Sequence, residues 1–288
     1  MGRWTDLVMC LLVRSQASWS PQESTEQRPP AVVMGSTAVT HLVLLLSPAL
    51  VLTLTSWDSA SPLQSTFCTW ECMKFTLLWP GSFCTTLKKI ECLIPEYVKT
   101  WTIHGLWPMS TGRCCGCWPI FPSDLEELQP ELSRLWPTLL KSKSNFTFWK
   151  DEWIKHGSCA GCVEGMNSPT RYFQTSLKLR AHFDIDRALQ DAGIEPSCNK
   201  SYMYKQIHAA LAPVLGELHV SQCVQDEQQR QVWIQVKIPM FKNFTLGCHR
   251  HHAGLPASPH PSPGHPCPHN ASVYFYPISY DHPDQPCP

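Results

Sequence analysis

Apolar and polar positions alternate most regularly near residue 235. Residues 232–238 alternate between aliphatic side chains and Trp, Gln and Lys, and a period of two predicts a half-buried β-strand. Apolar and β-branched runs predict further strands over 72–79, over 100–103 with His104 at its end, and over 273–277. Pro80 and Gly81 favour a turn after the first of these. The predicted strands therefore lie toward both ends of the chain.

Helical periodicity is found in the middle of the chain. A capping-box sequence at 123–126 begins a run of leucines spaced three or four apart, which predicts a helix with one buried face over about 125–135. Further helices are predicted to begin at Ser168, to run from Asp184 to about Gly193, and to run from after Ser201 to about Leu211. Helices grouped between strands indicate an α+β fold, with an antiparallel β-sheet core flanked by several helices.

The stretch 148–159 combines this periodicity with ionisable residues. It predicts a short helix that ends at Gly157. Glu152 and His156 are then one turn apart, with Lys155 beside them, so a carboxylate, an imidazole and an ammonium share one face. Three aromatic residues on the other side would fix the helix in a core. An acid, a base and a cation in fixed positions indicate proton transfer on an anionic substrate.

Composition and charge limit the possible functions. The 288 residues are 43% hydrophobic, enough for the core of one large domain or two small ones. The 23 basic and 23 acidic residues give a formal net charge of zero. This balance argues against a stoichiometric nucleic-acid binder, but not against an enzyme that releases its substrate.

The N-terminal region reads as a leader. Residues 42–54 form an apolar run that is too short for an ordinary membrane span of ~20 residues but suits a signal sequence. We therefore expect an upstream extension of uncertain use at 1–33 and a signal peptide at about 34–60, with an uncleaved anchor as the alternative. The main domain is expected over 68–280, with an irregular Pro- and His-rich loop at 249–269 and a C-terminal tail at 281–288.

Cysteines and glycosylation sequons indicate an oxidising compartment. The chain has 15 cysteines, and four N-glycosylation sequons begin at Asn145, Asn199, Asn243 and Asn270. Two Cys-x-x-Cys motifs, at 114–117 and 159–162, would indicate zinc in a cytosolic chain. Behind a signal sequence, disulfides are the favoured interpretation, and we expect neither a metal nor another cofactor.

A second histidine motif identifies a family. His104 lies in His-Gly-Leu-Trp-Pro at 104–108, and two histidines on different elements can act as acid and base. This motif, followed by Glu-Trp-x-Lys-His-Gly-x-Cys at 152–159, resembles the two active-site signatures of the ribonuclease T2 family. The resemblance extends from about Lys74 to Pro277. It implies a disulfide-bonded fold of the ribonuclease T2 type.

The resemblance also implies an activity and roles for residues. It implies an endoribonuclease that cleaves single-stranded RNA without metal, first to 2′,3′-cyclic phosphates and then to 3′-phosphates. His156 would be the base, His104 the acid, and Glu152 would orient or protonate the phosphoryl oxygens. Lys155 would neutralise their charge, and Trp107 is either a stacking platform for a base or a core aromatic.

The cysteines, the sequons and the predicted signal sequence indicate the location, and the balanced charge limits the partners. We expect a monomer in the secreted, endosomal or lysosomal space that forms no stable nucleic-acid complex. We also expect no membrane attachment once the signal has been cleaved.

The family pattern implies three disulfides, namely Cys84–Cys92, Cys114–Cys159 and Cys223–Cys267. It leaves open the pairing of Cys68, Cys72, Cys115, Cys117, Cys162, Cys198, Cys248 and Cys287. A bridge from Cys115 or Cys117 to Cys162 is one hypothesis, and Cys198 is one candidate partner for Cys248.

Two positions depart from the family pattern. Asp151 stands where the family often has a histidine, so we expect weaker substrate binding and more strongly protonated neighbouring histidines. Met109 stands where some relatives have an Asp that reads the base, so base preference is not predicted. Asp151 is also the one argument for an alternative function, a catalytically weakened extracellular binding or signalling glycoprotein.

Overall fold

The computed structural model describes residues 68–87, 89–109, 111, 114–248 and 264–287. The predicted extension at 1–33, the predicted signal peptide at 34–60 and most of the Pro- and His-rich loop lie outside these ranges. Within them, no helix has the length and apolar character needed to cross a membrane.

The described residues form a seven-stranded sheet. Its strands are β1 Cys72–Leu78, β2 Thr102–Pro108, β3 Ser201–Met203, β4 Val220–Gln225, β5 Gln231–Phe241, β6 His265–Pro266 and β7 Ser272–Tyr274. The main path runs β2-β1-β5-β4-β6, and β7 pairs with both β5 and β3. Every pairing is antiparallel except β5 with β7. The predicted α+β class is confirmed, with one parallel pair added.

The helices lie mostly between β2 and β4 in the chain. They are α1 Pro80–Phe83, α2 Gln129–Leu135, α3 Asn145–Glu152, α4 Ser158–Ala160, α5 Pro169–His182, α6 Ile185–Asp191 and α7 Tyr204–Leu215. Short 3₁₀ turns form at Cys84–Thr86 and Pro122–Leu125, and a π-helical turn forms at Trp153–Gly157. The predicted starts of α5 and α6 are confirmed, because Ser168 and Asp184 accept backbone N–H groups as N-caps.

Three predicted elements need correction. The predicted helix over 125–135 is divided, since a 3₁₀ turn closed by Phe121 N–H donating to Asp124 precedes a helix that begins at Gln129. Pro130 suits that first turn because it has no N–H to donate. Residues 201–203 form β3 against β7 before α7 starts, and α7 continues to Leu215. The predicted irregular loop contains β6, which pairs with β4.

The strand that carries His104 is also longer than predicted. It continues through Trp107 to Pro108, so His104 lies inside β2 rather than at its end. Pairing with β1 shifts between Thr76, opposite Gly105, and Leu77, opposite Ile103. His104 is therefore the extra residue of a β-bulge, a device that re-aims a side chain and is common beside active sites.

Seven disulfides link the described cysteines. Three are the pairs that the family resemblance implies, Cys84–Cys92, Cys114–Cys159 and Cys223–Cys267. The others are Cys68–Cys162, Cys72–Cys248, Cys115–Cys117 and Cys198–Cys287. The hypotheses that joined Cys115 or Cys117 to Cys162, and Cys198 to Cys248, are therefore wrong.

The same bridges decide between the two interpretations of the Cys-x-x-Cys motifs. All of their cysteines are disulfide-bonded, and a sulfur in a disulfide is not a thiolate ligand. In the described ranges, no group of three or more His, Cys, Asp or Glu side chains is arranged to hold a metal ion. The two motifs are therefore disulfide positions rather than a zinc site.

An aromatic core supports the strand that carries His104. Trp136 packs on Tyr172 and Phe173 of α5, and Trp153 packs on Tyr172. From this cluster, Trp136 Nε1 donates to the His104 carbonyl at 3.1 Å and the Tyr172 hydroxyl donates to the Leu106 carbonyl at 2.7 Å. These hydrogen bonds thus fix the backbone of β2 at the bulge and two residues after it.

Candidate active site

Trp107 lies at the centre of the predicted site. Its ring centroid is 5.0 Å from that of His104 and 5.4 Å from that of His156. Its indole Nε1 donates to Glu152 Oε2 at 2.9 Å. Two histidines from different elements and a carboxyl group therefore converge on one side chain. The exposed ammonium of Lys155 lies 3.5 Å from Asp151, and its charge acts on Glu152 from there.

His104 is held by a buried amide. Its Nδ1 lies 3.0 Å from Oε1 of Gln235, a fully buried residue of β5. The Gln235 Nε2 donates to Gln222, so the oxygen is the end that faces His104. With the amides oriented in this way, His104 donates from Nδ1, and its Nε2 is left for chemistry.

Burial decides the protonation of His104. It lowers the pKa of the imidazole, the hydrogen bond to Gln235 raises it, and the positive charge of Lys237 lowers it again, so that the pKa lies below its ordinary value. Sequence reasoning missed Gln235. The signal was a glutamine in the middle of a strand with aliphatic neighbours on both sides.

Gly105 allows the close approach of Trp107 to Glu152. A Cβ at this position would overlap the Trp107 indole nitrogen and would lie 2.5 Å from Glu152 Oε2. The glycine of the His-Gly-Leu-Trp-Pro motif therefore leaves space for the hydrogen bond that fixes the carboxyl group.

Glu152 and His156 lie in one helical segment with a change of pitch. Ser144 caps α3 by accepting the Thr147 N–H, and the π-helical turn follows directly after Glu152. Such turns are frequent at functional sites. The prediction that Gly157 ends the helix is wrong, because this residue has helical backbone angles and α4 follows it. A Cβ on Gly157 would lie 2.5 Å from the Trp153 ring, so close packing explains the glycine.

Glu152 titrates in the range where it can act as an acid. Burial raises its pKa to about 7, although the hydrogen bond from Trp107 and the charges of Lys155 and Lys143 lower it. At mildly acidic pH, its carboxyl group is therefore largely protonated and can donate a hydrogen bond to an anion.

Asp151 has two cationic partners. Its Oδ2 lies 2.6 Å from the Lys143 ammonium and 3.5 Å from that of Lys155. Burial raises the pKa of Asp151, but the two ammonium groups lower it by more than burial raises it. The pKa of Asp151 is therefore below its ordinary value. The pKa of His104 is shifted by burial, Gln235 and Lys237 and not by Asp151, so the expected effect of Asp151 on its neighbouring histidines stays a prediction. Sequence reasoning missed Lys143, which precedes α3 and gave no periodic signal.

Comparison with known proteins identifies the family of the chain. The family model for the Ribonuclease T2 family matches residues 70–251. This chain belongs to the ribonuclease T2 family. The match covers most of the described domain and confirms the resemblance carried by the two histidine motifs.

Individual relatives support the assignment to the ribonuclease T2 family. Ribonuclease Oy of Magallana gigas is 33% identical over 221 residues, which are 74% of this chain and 98% of that protein. Ribonuclease T2 of Danio rerio is 34% identical over 219 residues, which are 73% of this chain and 88% of the relative. The crystal structure of human RNase T2 superposes with a TM-score of 0.60 at 31% identity, covering 72% of this chain and 99% of the human one.

Proposed function

We propose that this protein is an endoribonuclease that cleaves single-stranded RNA by acid–base catalysis without a metal ion. The observation that carries the proposal is the contact of His104 and His156, from separate elements, with the same Trp107 ring. Family membership supports the same activity. RNA provides the 2′-hydroxyl that the reaction needs as its nucleophile.

In the first step, His156 removes the proton of the 2′-hydroxyl, and the oxygen attacks the adjacent phosphorus. The bond from phosphorus to the 5′-oxygen breaks, and His104 Nε2 gives that oxygen its proton. The products are a 2′,3′-cyclic phosphate and a free 5′-hydroxyl. In the second step, water attacks the cyclic phosphate, His104 accepts its proton, and His156 returns a proton to the departing 2′-oxygen, which leaves a 3′-phosphate.

Glu152 and Lys155 act on the charge that develops at phosphorus. The protonated Glu152, fixed by Trp107, donates to a non-bridging oxygen. The exposed Lys155 ammonium exchanges its contact with Asp151 for a phosphoryl oxygen. Trp107 serves mainly to position these groups, since its N–H is committed to Glu152 and its ring contacts both histidines.

The pKa of His104 favours activity at acidic pH. A general acid must start protonated, and the pKa of His104 is lowered by burial. Cleavage therefore declines as pH rises through that lowered pKa. This pH dependence supports an endosomal or lysosomal lumen or an acidic extracellular space as the place of action.

The secretory route has support from the disulfides and the sequons. Disulfides persist in oxidising compartments, and three sequon residues, Asn199, Asn243 and Asn270, are exposed. Asn145 is half-buried, with its Oδ1 accepting the Thr138 N–H. Glycosylation at these four positions, the signal peptide at 34–60 and the monomeric state belong to the proposal.

The activity is tested with the secreted protein in EDTA, on single-stranded RNA and on DNA of the same sequence. We expect RNA cleavage at pH 5 that is faster than at pH 7, and no DNA cleavage. His104→Ala and His156→Ala should each abolish cleavage, whereas His208→Ala, on α7, should not. Cleavage of DNA, or loss of activity in EDTA, would contradict the mechanism.

A further inference from the structure

Two lysines lie beside the site on the same face of the sheet. Lys74 of β1 is directly opposite Trp107 of β2, and Thr76 of β1 is directly opposite Lys237 of β5. Side chains two residues apart on a strand share a face, as do directly opposite residues. Lys237, Lys74 and Trp107 therefore lie across three neighbouring strands on one face.

These lysines differ from the two cations on the other side of the site. Lys143 and Lys155 both contact Asp151. Among the residues that the structure describes, the ammonium groups of Lys74 and Lys237 have no hydrogen-bonded or ion-paired partner, and both residues are half-buried. Lys74 is opposite Pro239 and Lys237 is opposite Thr76, so the two lysines are diagonal neighbours on adjacent strands, roughly 7–8 Å apart. An anion between their ammonium groups would offset their mutual repulsion.

The electrostatics agree with this placement. Burial lowers the pKa of Lys74. Burial, followed by the charge of Lys74, lowers the pKa of Lys237 to about 8. The charge of Lys237 in turn lowers the pKa of His104, so this lysine is within electrostatic reach of the site. At acidic pH both lysines are charged, and a bound anion would stabilise both charged forms.

We propose that Lys74 and Lys237 form a subsite for a backbone phosphate of the RNA, adjacent to the phosphate that is cleaved. The subsite rests on the proposed function and adds to it a contact outside the two histidine motifs. Because the formal net charge of the chain is zero, attraction for a polyanion depends on local clusters such as this one. An RNA strand that leaves the Trp107 region across β1 would bring its next phosphate over the two ammonium groups.

The test compares three short RNA substrates that have the same two bases, chosen as the pair that the wild type cleaves fastest. One is a dinucleoside monophosphate with only the scissile phosphate, and the others add a single phosphate at the 5′ or the 3′ end. We expect the wild type to prefer one of the extended substrates by about tenfold in kcat/KM, the effect of one charge-assisted contact. The end that gives the gain identifies the direction in which the strand runs.

The variants are Lys74→Gln, Lys237→Gln, the double variant and Lys237→Arg, with Lys205→Gln on the exposed surface of α7 as control. The double variant should lose the gain from the added phosphate, whereas Lys237→Arg and Lys205→Gln should keep it. A change at His104 alters kcat/KM for all three substrates equally, so it cancels in the ratio of kcat/KM between the extended and the short substrate. On long RNA, a plot of log kcat/KM against log salt concentration should have a slope that is less steep by about 0.7 for the double variant than for the wild type.

The outcomes separate the two proposals. If the wild type cleaves neither the dinucleotides nor long RNA, the proposed function fails. If it cleaves RNA but the double variant, folded by circular dichroism, keeps both the gain and the salt dependence, the subsite is overturned. An equal loss on all three short substrates would also overturn it, because the lysines would then act on His104 rather than on a second phosphate.

Discussion

Trp107 connects the ionisable groups of the site through two different parts of its side chain. The ring contacts both histidines, and the indole N–H holds Glu152. A displacement of this one residue would therefore disturb the acid, the base and the carboxyl group together. Gly105 is the neighbour that allows its position.

Gly105→Ala should lower kcat/KM by about 100-fold, the scale of loss for a misplacement of about 1 Å at a catalytic site. The added methyl group would overlap the Trp107 indole and push it away from Glu152. Gly116→Ala is the matched control, since a Cβ there has no atom within 4 Å. Equal activity of the two variants in an RNA cleavage assay would contradict this account of the motif.

Gln235 should control the pH dependence through His104. Its hydrogen bond raises the pKa of that histidine, so Gln235→Leu should lower the pKa and move the alkaline limb of kcat/KM to lower pH. Gln235→Glu would place a carboxylate there and should move the same limb to higher pH. Each variant is the control for the other, because the two should shift the alkaline limb in opposite directions. If both variants shift it in the same direction, Gln235 does not set the pKa of His104.

At the scale of elements, the site depends on two irregularities, the bulge in β2 and the π-helical turn after α3. The two motifs could be found from sequence because their residue types and spacing are specific. The bulge could not, since it depends on register against β1, and the contact with Gln235 joins residues 131 positions apart. The π-helical turn was also missed, because periodicity does not distinguish it from the end of a helix at Gly157.

Asp151→Asn tests whether the contacts with Asp151 keep Lys143 and Lys155 from binding the substrate. Without the carboxylate, Lys143 and Lys155 keep their charges and lose their shared partner. We expect KM for RNA to fall by about threefold at low salt, with a smaller change in kcat, because exposed charges act over a short screened range. A Michaelis–Menten series in low and high salt measures this, and an increase in KM at low salt would contradict it.

At the scale of the whole molecule, disulfides join regions that are distant in sequence. Cys72–Cys248 spans 176 positions, and Cys198–Cys287 ties the predicted C-terminal tail to the segment before β3. Cysteine spacing alone could not identify these pairs, because the partners are brought together only by strand order. The hydrophobic pattern predicted the fold class, while long-range pairing required the folded chain.

The Cys72→Ser, Cys248→Ser double variant should lose about 2–5 kcal/mol of unfolding free energy, because the bridge closes a long loop in the unfolded chain. Removal of Cys115–Cys117, whose cysteines are two positions apart, should cost about 1 kcal/mol. Urea unfolding followed by tryptophan fluorescence measures both. An equal loss in the two variants would contradict the loop-length argument.

The central claim is that His104 is the acid and His156 the base of the first step. The most direct test uses a nucleoside 3′-(4-nitrophenyl phosphate), whose leaving group departs without a proton. Relative to wild type, His104→Ala should be close to fully active on this substrate and reduced by about 10²–10⁴ on a dinucleotide, whereas His156→Ala should be reduced on both. If His104→Ala is equally impaired on the two substrates, or His156→Ala is active on the activated one, the assignment of acid and base is wrong.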